Sequence, residues 1–172
     1  KSKLDIGRAS KIIDNWMRED YWKVYAELNY KKINKKIIGE RYIESAGGHG
    51  PEDYKIYCFN GVPYCTLLCV GRDKGMPKYY FFDKDFKFLC YSQDCLALSP
   101  EEIDAFVKPE GYDDLFEYAR KLSAPFEFVR VDFYISNGKV IFGELTFTPS
   151  AGIDTDILEP TDILLGKMLN LK

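Results

Sequence analysis

Histidine is nearly absent from this sequence, and its cysteines are not arranged in metal-binding pairs. The 172 residues include one histidine, His49, and five cysteines without a CxxC spacing. Structural zinc sites take four Cys or His ligands at close spacing, so the composition argues against such a site. We interpret the cysteines as reduced, partly buried thiols of a cytoplasmic protein. The glycine-rich loop around His49 lacks the Lys-Ser/Thr of a phosphate-binding loop, so His49 receives no role.

An excess of positive charge and a long apolar run are also missing. The net charge is -3, which argues against a general affinity for nucleic acid or anionic lipid. No apolar run approaches the roughly 20 residues of a membrane span, and the first residues do not resemble a signal peptide. Because the chain begins with Lys rather than Met, we expect it to come from inside a longer protein.

The sequence contains enough apolar residues for one hydrophobic core, since 46% of the residues are hydrophobic and 16% are aromatic. Apolar periodicity and turn signals predict a mixture of helices and hairpins. Helices are predicted over 8–20, 99–107, 113–125 and 159–171, the last with Leu164, Leu165, Met168 and Leu169 inward. Strands are predicted over 35–43, over 53–72 with a turn at Asn60-Gly61, and over 78–91 around Asp83. This pattern indicates an α+β fold with a largely antiparallel sheet and flanking helices.

Two acidic residues stand inside strand-like runs that flank Ser136-Asn137-Gly138. Asp132 and Glu144 occupy positions where acids are depleted. A two-residue Asn137-Gly138 turn would place them on opposite faces, whereas a three-residue turn pairs Arg130 with Glu144 and sets Asp132 diagonally beside it. Only the three-residue turn also matches the apolar faces, so we predict it. Those faces are Val129, Val131, Phe133 and Ile135 on one run, and Ile141, Gly143, Leu145 and Phe147 on the other.

Two carboxylates this close repel each other unless a cation lies between them. Arg130 is one candidate, which would make the group an ion-pair cluster that stabilises the hairpin. A divalent metal is the other candidate, since Mg²⁺ takes one or two carboxylates from protein and leaves room for phosphate oxygens. The spacing alone leaves both interpretations open.

Three blocks of the sequence resemble the TupA-like ATP-grasp family, which is associated with teichuronopeptide and capsular polysaccharide synthesis. They are KKIIGERYI, DYKIYCFNG and FVRVDFY followed by GKVIFGELTFTPSAG, and they span most of residues 35–152. The resemblance implies an ATP-grasp-like (sub)domain over residues 1–172, the C-terminal portion of a longer protein that lacks part of the upstream phosphate lid. It also implies ATP and Mg²⁺ as cofactors.

The resemblance implies that the last hairpin forms a metal-binding site. Asp132 and Glu144 would be Mg²⁺ ligands, and Arg130 would face the transferred phosphoryl group. Thr146 would be the third ligand, at a position where ATP-grasp enzymes usually have Asn.

The same resemblance implies a nucleotide end. Adenine would be read by Glu40, Arg41, Tyr42 and Ile43. Asp53 would bind the ribose hydroxyls, and Lys55 and Arg72 would reach phosphate or substrate. Each position also has a simpler interpretation: solvated strand-end charges for residues 40–41, a turn cap for Asp53, and surface cations for Lys55 and Arg72.

The implied activity is that of a carboxylate–amine ligase, in which ATP phosphorylates a carboxylate and an amine attacks the acylphosphate. Its substrates would be small or polymer-linked carboxylates and amines of the cell surface. Two alternatives remain: a kinase that phosphorylates a sugar hydroxyl, and a non-catalytic binding domain on a decayed scaffold.

Overall fold

The computed structural model describes residues 4–43 and 51–170. His49 and its glycine-rich loop lie outside these described residues. Contacts divide the chain into two compact units, Lys1–Tyr42 and Ile43–Lys172. Whether they act as the one ATP-grasp-like subdomain expected over 1–172 stays a prediction. In the part of the chain described here, no helix is both long and apolar enough to cross a membrane.

The first unit contains the predicted N-terminal helix. Helix α1 runs over Ile6–Arg18, and the Asp5 side chain caps it by accepting a hydrogen bond from the backbone N–H of Arg8 at 2.9 Å. Two 3₁₀ turns follow, over Tyr21–Lys23 and Leu28–Lys32. Residues 33–43 form neither helix nor strand, so the predicted strand over 35–43 is wrong. A strand requires a hydrogen-bonded neighbour, and this segment has none in the described residues.

The second unit is built on one antiparallel sheet, as predicted. Its strands are β1 (Asp53–Phe59), β2 (Val62–Val70), β3 (Lys78–Phe82), β4 (Phe88–Leu89), β5 (Phe128–Ser136) and β6 (Lys139–Thr146). They lie in the order β4-β3-β2-β1-β5-β6, and every neighbouring pair is antiparallel. Strands β3, β2, β1 and β5 therefore lie inside the sheet, and β4 and β6 are its edges.

Both Asn-Gly dipeptides form two-residue turns with a left-handed backbone. Asn60 and Gly61 have φ of 51° and 76°, and Asn137 and Gly138 have φ of 52° and 69°. Positive φ at both central residues is the type I′ geometry, whose twist matches that of the flanking strands. Each hairpin also contains a β-bulge farther along its ladder.

Helices cover both faces of the sheet. They are α2 (Pro100–Asp104), α3 (Tyr112–Ser123) and α4 (Glu159–Gly166). Ser99 caps α2 in a capping box with Glu102. One core joins α3 to the face that carries Ile56, Val131 and other buried side chains.

The other core covers the opposite face, where Leu165 of α4 packs with aromatic residues of β1 and β3. The predicted inward face of this last helix is correct for Leu165 and Met168. It is wrong for Leu164 and Leu169, which are exposed because α4 ends at Gly166 and only one edge of the helix meets the sheet.

The cysteines depart from the expectation of five reduced thiols. Cys90 and Cys95 form a disulfide with Cα atoms 5.3 Å apart, inside the usual range for such a bond. Cys58, Cys65 and Cys69 are free and buried. The disulfide forms because the 3₁₀ turn Gln93–Ala97 folds back beside the end of β4, which sequence spacing does not reveal.

Candidate functional site

The β5–β6 hairpin brings the two strand acids together by a different route from the one predicted. Ser136 pairs with Lys139, so the turn has two residues, and the predicted three-residue turn is wrong. A bulge between Asp132 and Phe133 in the ladder then shifts the register by one residue. Asp132 consequently lies directly opposite Glu144, and the prediction that both acids share a face is confirmed.

The bulge also changes two predicted pairings. Arg130 lies opposite Thr146 rather than Glu144. Ile141 lies opposite Tyr134, on the face of the acids, whereas Val140 and Leu145 pack against the α3 core. Gly143 is the extra residue of β6. A Cβ there would lie 3.0 Å from the backbone oxygen of Asp132 and 3.3 Å from the Tyr134 ring, so a larger residue would crowd the bulge.

Asp132 is the centre of the site and is only 2% exposed. Arg130 binds it in a bidentate manner, with Nε donating to Oδ1 and Nη2 donating to Oδ2, both at 2.8 Å. Lys55 Nζ donates to Oδ2 at 2.6 Å. These contacts satisfy the requirement that a buried charge be paired, and they are the ion-pair cluster anticipated for Arg130.

Charged side chains extend from Asp132 across β1 to the loop after β2. We call this series the charged row; its members are Arg72, Asp53, Lys55, Asp132, Arg130 and Glu144. Lys55, 6% exposed, also lies 2.9 Å from Oδ2 of Asp53, which Arg72 Nη2 approaches at 2.9 Å. Asp53 and Lys55 share a face because they are two residues apart on β1, and Lys55 lies opposite Asp132 in the ladder. Lys55 and Asp53 are therefore buried ion-pair partners, not a surface cation and a turn cap.

Glu144 and Thr146 form the solvent-facing end of the row. The Thr146 hydroxyl donates to Glu144 Oε1 at 3.2 Å and accepts from Arg130 Nη2 at 3.3 Å. Glu144 Oε1 lies 4.0 Å from Arg130 Nη2, and the Glu144 side chain is 67% exposed. Its carboxylate can therefore take another ligand without breaking a buried contact.

Electrostatics keep both arginines charged. Burial lowers the pKa of Arg130, but the hydrogen bonds and negative charge of Asp132 outweigh that effect and leave the pKa above its ordinary value. Burial also lowers the pKa of Arg72, whereas the hydrogen bond to Cys69 and the charge of Asp53 raise it, with a net increase. The row is thus a fixed alternation of positive and negative groups.

A cavity of about 250 Å³ lies against this row. Its lining consists of Lys55, Leu67, Arg72, Tyr79, Phe81, Ser92, Arg130, Glu144, Ser150, Asp154, Asp156 and Ile157. Three of the predicted catalytic residues, Lys55, Arg72 and Arg130, are among them.

Sequence reasoning missed Ser92, Asp154 and Asp156 as cavity residues. Ser150 belongs to the T-P-S-A-G motif, which supports the family resemblance but to which the sequence analysis assigns no role. Asp154 and Asp156 follow that motif closely. An acidic pair just beyond the end of a strand is the sequence signal that could have identified them. Ser92 is distant in sequence, and its bridge to Ile157 and its hydrogen bond to the Tyr79 carbonyl place it there.

The residues predicted to read adenine lie in the chain at the boundary between the two units. Glu40, Arg41 and Tyr42 are exposed and belong to the first unit, and Ile43 begins the second. Their role in nucleotide binding stays a prediction.

An antiparallel sheet with helices on both faces and a charged row beside a cavity defines an α+β protein with a candidate ligand site. The sequence model of the family described as TupA-like ATPgrasp matches residues 1–170. The chain belongs to the TupA-like ATP-grasp family, and the resemblance stated from its motifs is confirmed.

Two solved structures similar to the chain are both of the ATP-grasp ligase PsnB with Mg and ADP. One contains a minimal precursor and the other a phosphomimetic variant of that precursor. Each is 15% identical, with a TM-score of 0.32 over 71% of this chain and 34% of the other. The chain thus spans about a third of the length of those proteins. No curated protein matches the chain significantly.

Proposed function

We propose that the chain carries the catalytic centre of an ATP- and Mg²⁺-dependent carboxylate–amine ligase. In this reaction the γ-phosphoryl group of ATP passes to a carboxylate, and an amine then displaces phosphate to form an amide. We further propose that the substrates belong to a cell-surface polysaccharide or teichuronopeptide and that the reaction occurs in the cytoplasm, where ATP is supplied. Family membership supports the reaction class and the polymer.

The observation that carries the proposal is the position of Lys55 and Arg130 beside exposed Glu144 on the wall of one cavity. Phosphoryl transfer requires positive charge around the moving group and little covalent chemistry from the protein. Lys55 and Arg130 are held in place by Asp132, so their charges are preorganised before any ligand arrives. Arg72, at the other end of the row, would orient the phosphate or the substrate carboxylate.

The residues present fit a magnesium ion. A carboxylate offers about four lone-pair positions, and Asp132 uses three of them, which leaves one on Oδ1. Glu144 and Thr146 add exposed or partly exposed oxygen atoms beside it. No cluster of three or more His, Cys, Asp or Glu side chains suited to a metal was found among the described residues. Two carboxylates suffice for Mg²⁺ that is shared with phosphate, whose negative charge it would neutralise.

The first test replaces one ligand. Mn²⁺ takes the same oxygen ligands as Mg²⁺ and broadens nearby NMR signals, so it detects weak binding. In Glu144→Gln, the Mn²⁺ concentration that broadens the amide signals of residues 144–146 should rise about tenfold or more. Because Glu144 is exposed, the melting temperature should stay the same.

Glu127→Gln is the matched control, since Glu127 is an exposed glutamate that directly precedes β5 and is not one of the proposed ligands. It should leave the broadening unchanged. Equal broadening in both variants, or a lower melting temperature for Glu144→Gln alone, would instead assign Glu144 to the ion-pair cluster.

Product analysis tests the reaction itself. The protein is incubated with ATP, Mg²⁺, glucuronate and an amino acid, and the products are separated by mass spectrometry. The ligase yields an amide with ADP and phosphate. A phosphoester would identify the sugar kinase, and binding without any product would identify the non-catalytic domain.

A further inference from the structure

A short stretch of chain closed by a disulfide holds one segment of the cavity wall. Cys90 directly follows β4, and Cys95 lies in the 3₁₀ turn Gln93–Ala97. We call residues 90–95 the disulfide ring. Cys90 is exposed, whereas Cys95 is 4% exposed.

Backbone hydrogen bonds join the disulfide ring to residues 156–158. Gln93 N–H donates to the Asp156 carbonyl at 2.8 Å, and Leu158 N–H donates to the Tyr91 carbonyl at 2.9 Å. Between these two bonds, Ser92 forms an isolated antiparallel bridge with Ile157. Three consecutive ring residues therefore hold residues 156–158, of which Asp156 and Ile157 line the cavity.

The contacts of the disulfide ring connect the sheet, the cavity wall and the last helix. Ser92 is 1% exposed, and its hydroxyl donates to the Tyr79 carbonyl on β3. Ser92, Asp156 and Ile157 all line the cavity. Helix α4 begins at Glu159, immediately after residues 156–158. Loosening the ring would thus loosen both this wall and the start of α4.

We propose that the Cys90–Cys95 disulfide is a redox switch, closed to fix the wall at residues 156–158 and opened by a dithiol to release it. Disulfides in a reducing compartment are typically transient and regulatory, which suits this use. The inference rests on the contacts of the ring and on the cytoplasmic location proposed above, and it does not depend on the reaction catalysed.

The chemistry balances as an ordinary thiol–disulfide exchange. One thiolate of the dithiol attacks the sulfur of exposed Cys90, and the Cys95 sulfur leaves as a thiolate that takes up a proton. The second thiol of the reductant then displaces Cys90, which also becomes a thiol. Two electrons and two protons pass to the protein, and the reductant becomes a disulfide. A small disulfide oxidant reverses the step.

The remaining cysteines do not compete in this exchange. Cys58 and Cys65 are fully buried, and burial raises the pKa of the Cys58 thiol to about 12 and that of the Cys65 thiol further above its ordinary value. Cys69 is 2% exposed. Exchange requires an accessible sulfur, and for an attacking thiol a thiolate, so the ring is the accessible redox centre of the described residues.

Hydrogen exchange followed by mass spectrometry tests the switch on the oxidised protein with and without dithiothreitol. Alkylation under denaturing conditions should first find Cys90 and Cys95 blocked. After reduction, peptides that contain Gln93 and Leu158 should exchange at least about tenfold faster, while β1 and β5 keep their protection.

Cys90→Ser is the control, because it removes the disulfide and leaves all other cysteines in place. Its peptides around residues 93 and 158 should exchange rapidly with or without dithiothreitol. Free Cys90 in the oxidised protein, unchanged exchange after reduction, or an equal rise in β1 and β5 would each overturn the proposal.

Discussion

At Asp132, a single side chain supports two opposite interpretations. Its carboxylate neutralises buried Lys55 and Arg130, which makes it a structural ion-pair partner. It also retains one lone-pair position on Oδ1, which makes it a candidate metal ligand. The two roles are compatible, since the cations fix the carboxylate that a metal would use.

We expect Asp132→Asn to destabilise the fold strongly. The variant leaves Lys55 and Arg130 without their main negative partner, and breaking a buried pair costs about 3–5 kcal/mol. Urea unfolding measures this loss in the free energy of unfolding. Asp113→Asn is the control, because the Asp113–Lys108 pair has a 78% exposed carboxylate and should change stability by about 0.5 kcal/mol or less. Equal losses in both variants would contradict the burial argument.

At the scale of elements, the β5–β6 hairpin depends on a turn and a bulge acting together. The type I′ turn at Asn137-Gly138 alone would set Asp132 and Glu144 on opposite faces. The extra residue at Gly143 moves Glu144 to the face of Asp132. The sequence predicted the shared face correctly because the pattern of apolar residues requires it. It predicted the wrong turn because a bulge and a longer loop both leave Glu144 on the face of Asp132 and Leu145 on the apolar face, and they differ only beyond the bulge, at Ile141.

Gly143→Ala should therefore disturb the site as well as the fold. The added methyl meets the Asp132 backbone oxygen and the Tyr134 ring, so we expect a loss of about 1–3 kcal/mol and weaker Mn²⁺ broadening at Glu144. Thermal unfolding and the NMR titration measure the two effects.

Gly166→Ala is a suitable comparison, since a Cβ at the end of α4 meets nothing within 4 Å. It should leave stability unchanged or raise it slightly. If both alanine variants unfold at the same temperature, the close approach at the bulge does not constrain the hairpin.

At the scale of the whole molecule, the paired state of the cations limits nucleotide binding. Lys55 lies between Asp53 and Asp132, and Arg130 is bidentate on Asp132, so a phosphate group must compete with carboxylates already in place.

We expect this chain by itself to bind Mg²⁺·ATP only weakly, with a dissociation constant of about 1 mM or higher. Isothermal titration calorimetry measures it. Micromolar binding would show that the cavity needs no further charge, and it would refute the expected lack of a complete phosphate lid.

The sequence by itself determined the local structure and the chemical character of the site. Alternating residues placed Asp53 beside Lys55 and Arg130 beside Asp132, and Asn-Gly dipeptides marked both hairpins, because these relations depend only on near neighbours. Only the tertiary structure decided that Lys55 binds Asp132, that the Gly143 bulge sets Asp132 opposite Glu144, and that Ser92 pairs with Ile157 in the cavity wall. Those contacts join residues far apart in the chain, and their register follows from the packing of the whole sheet rather than from any single segment.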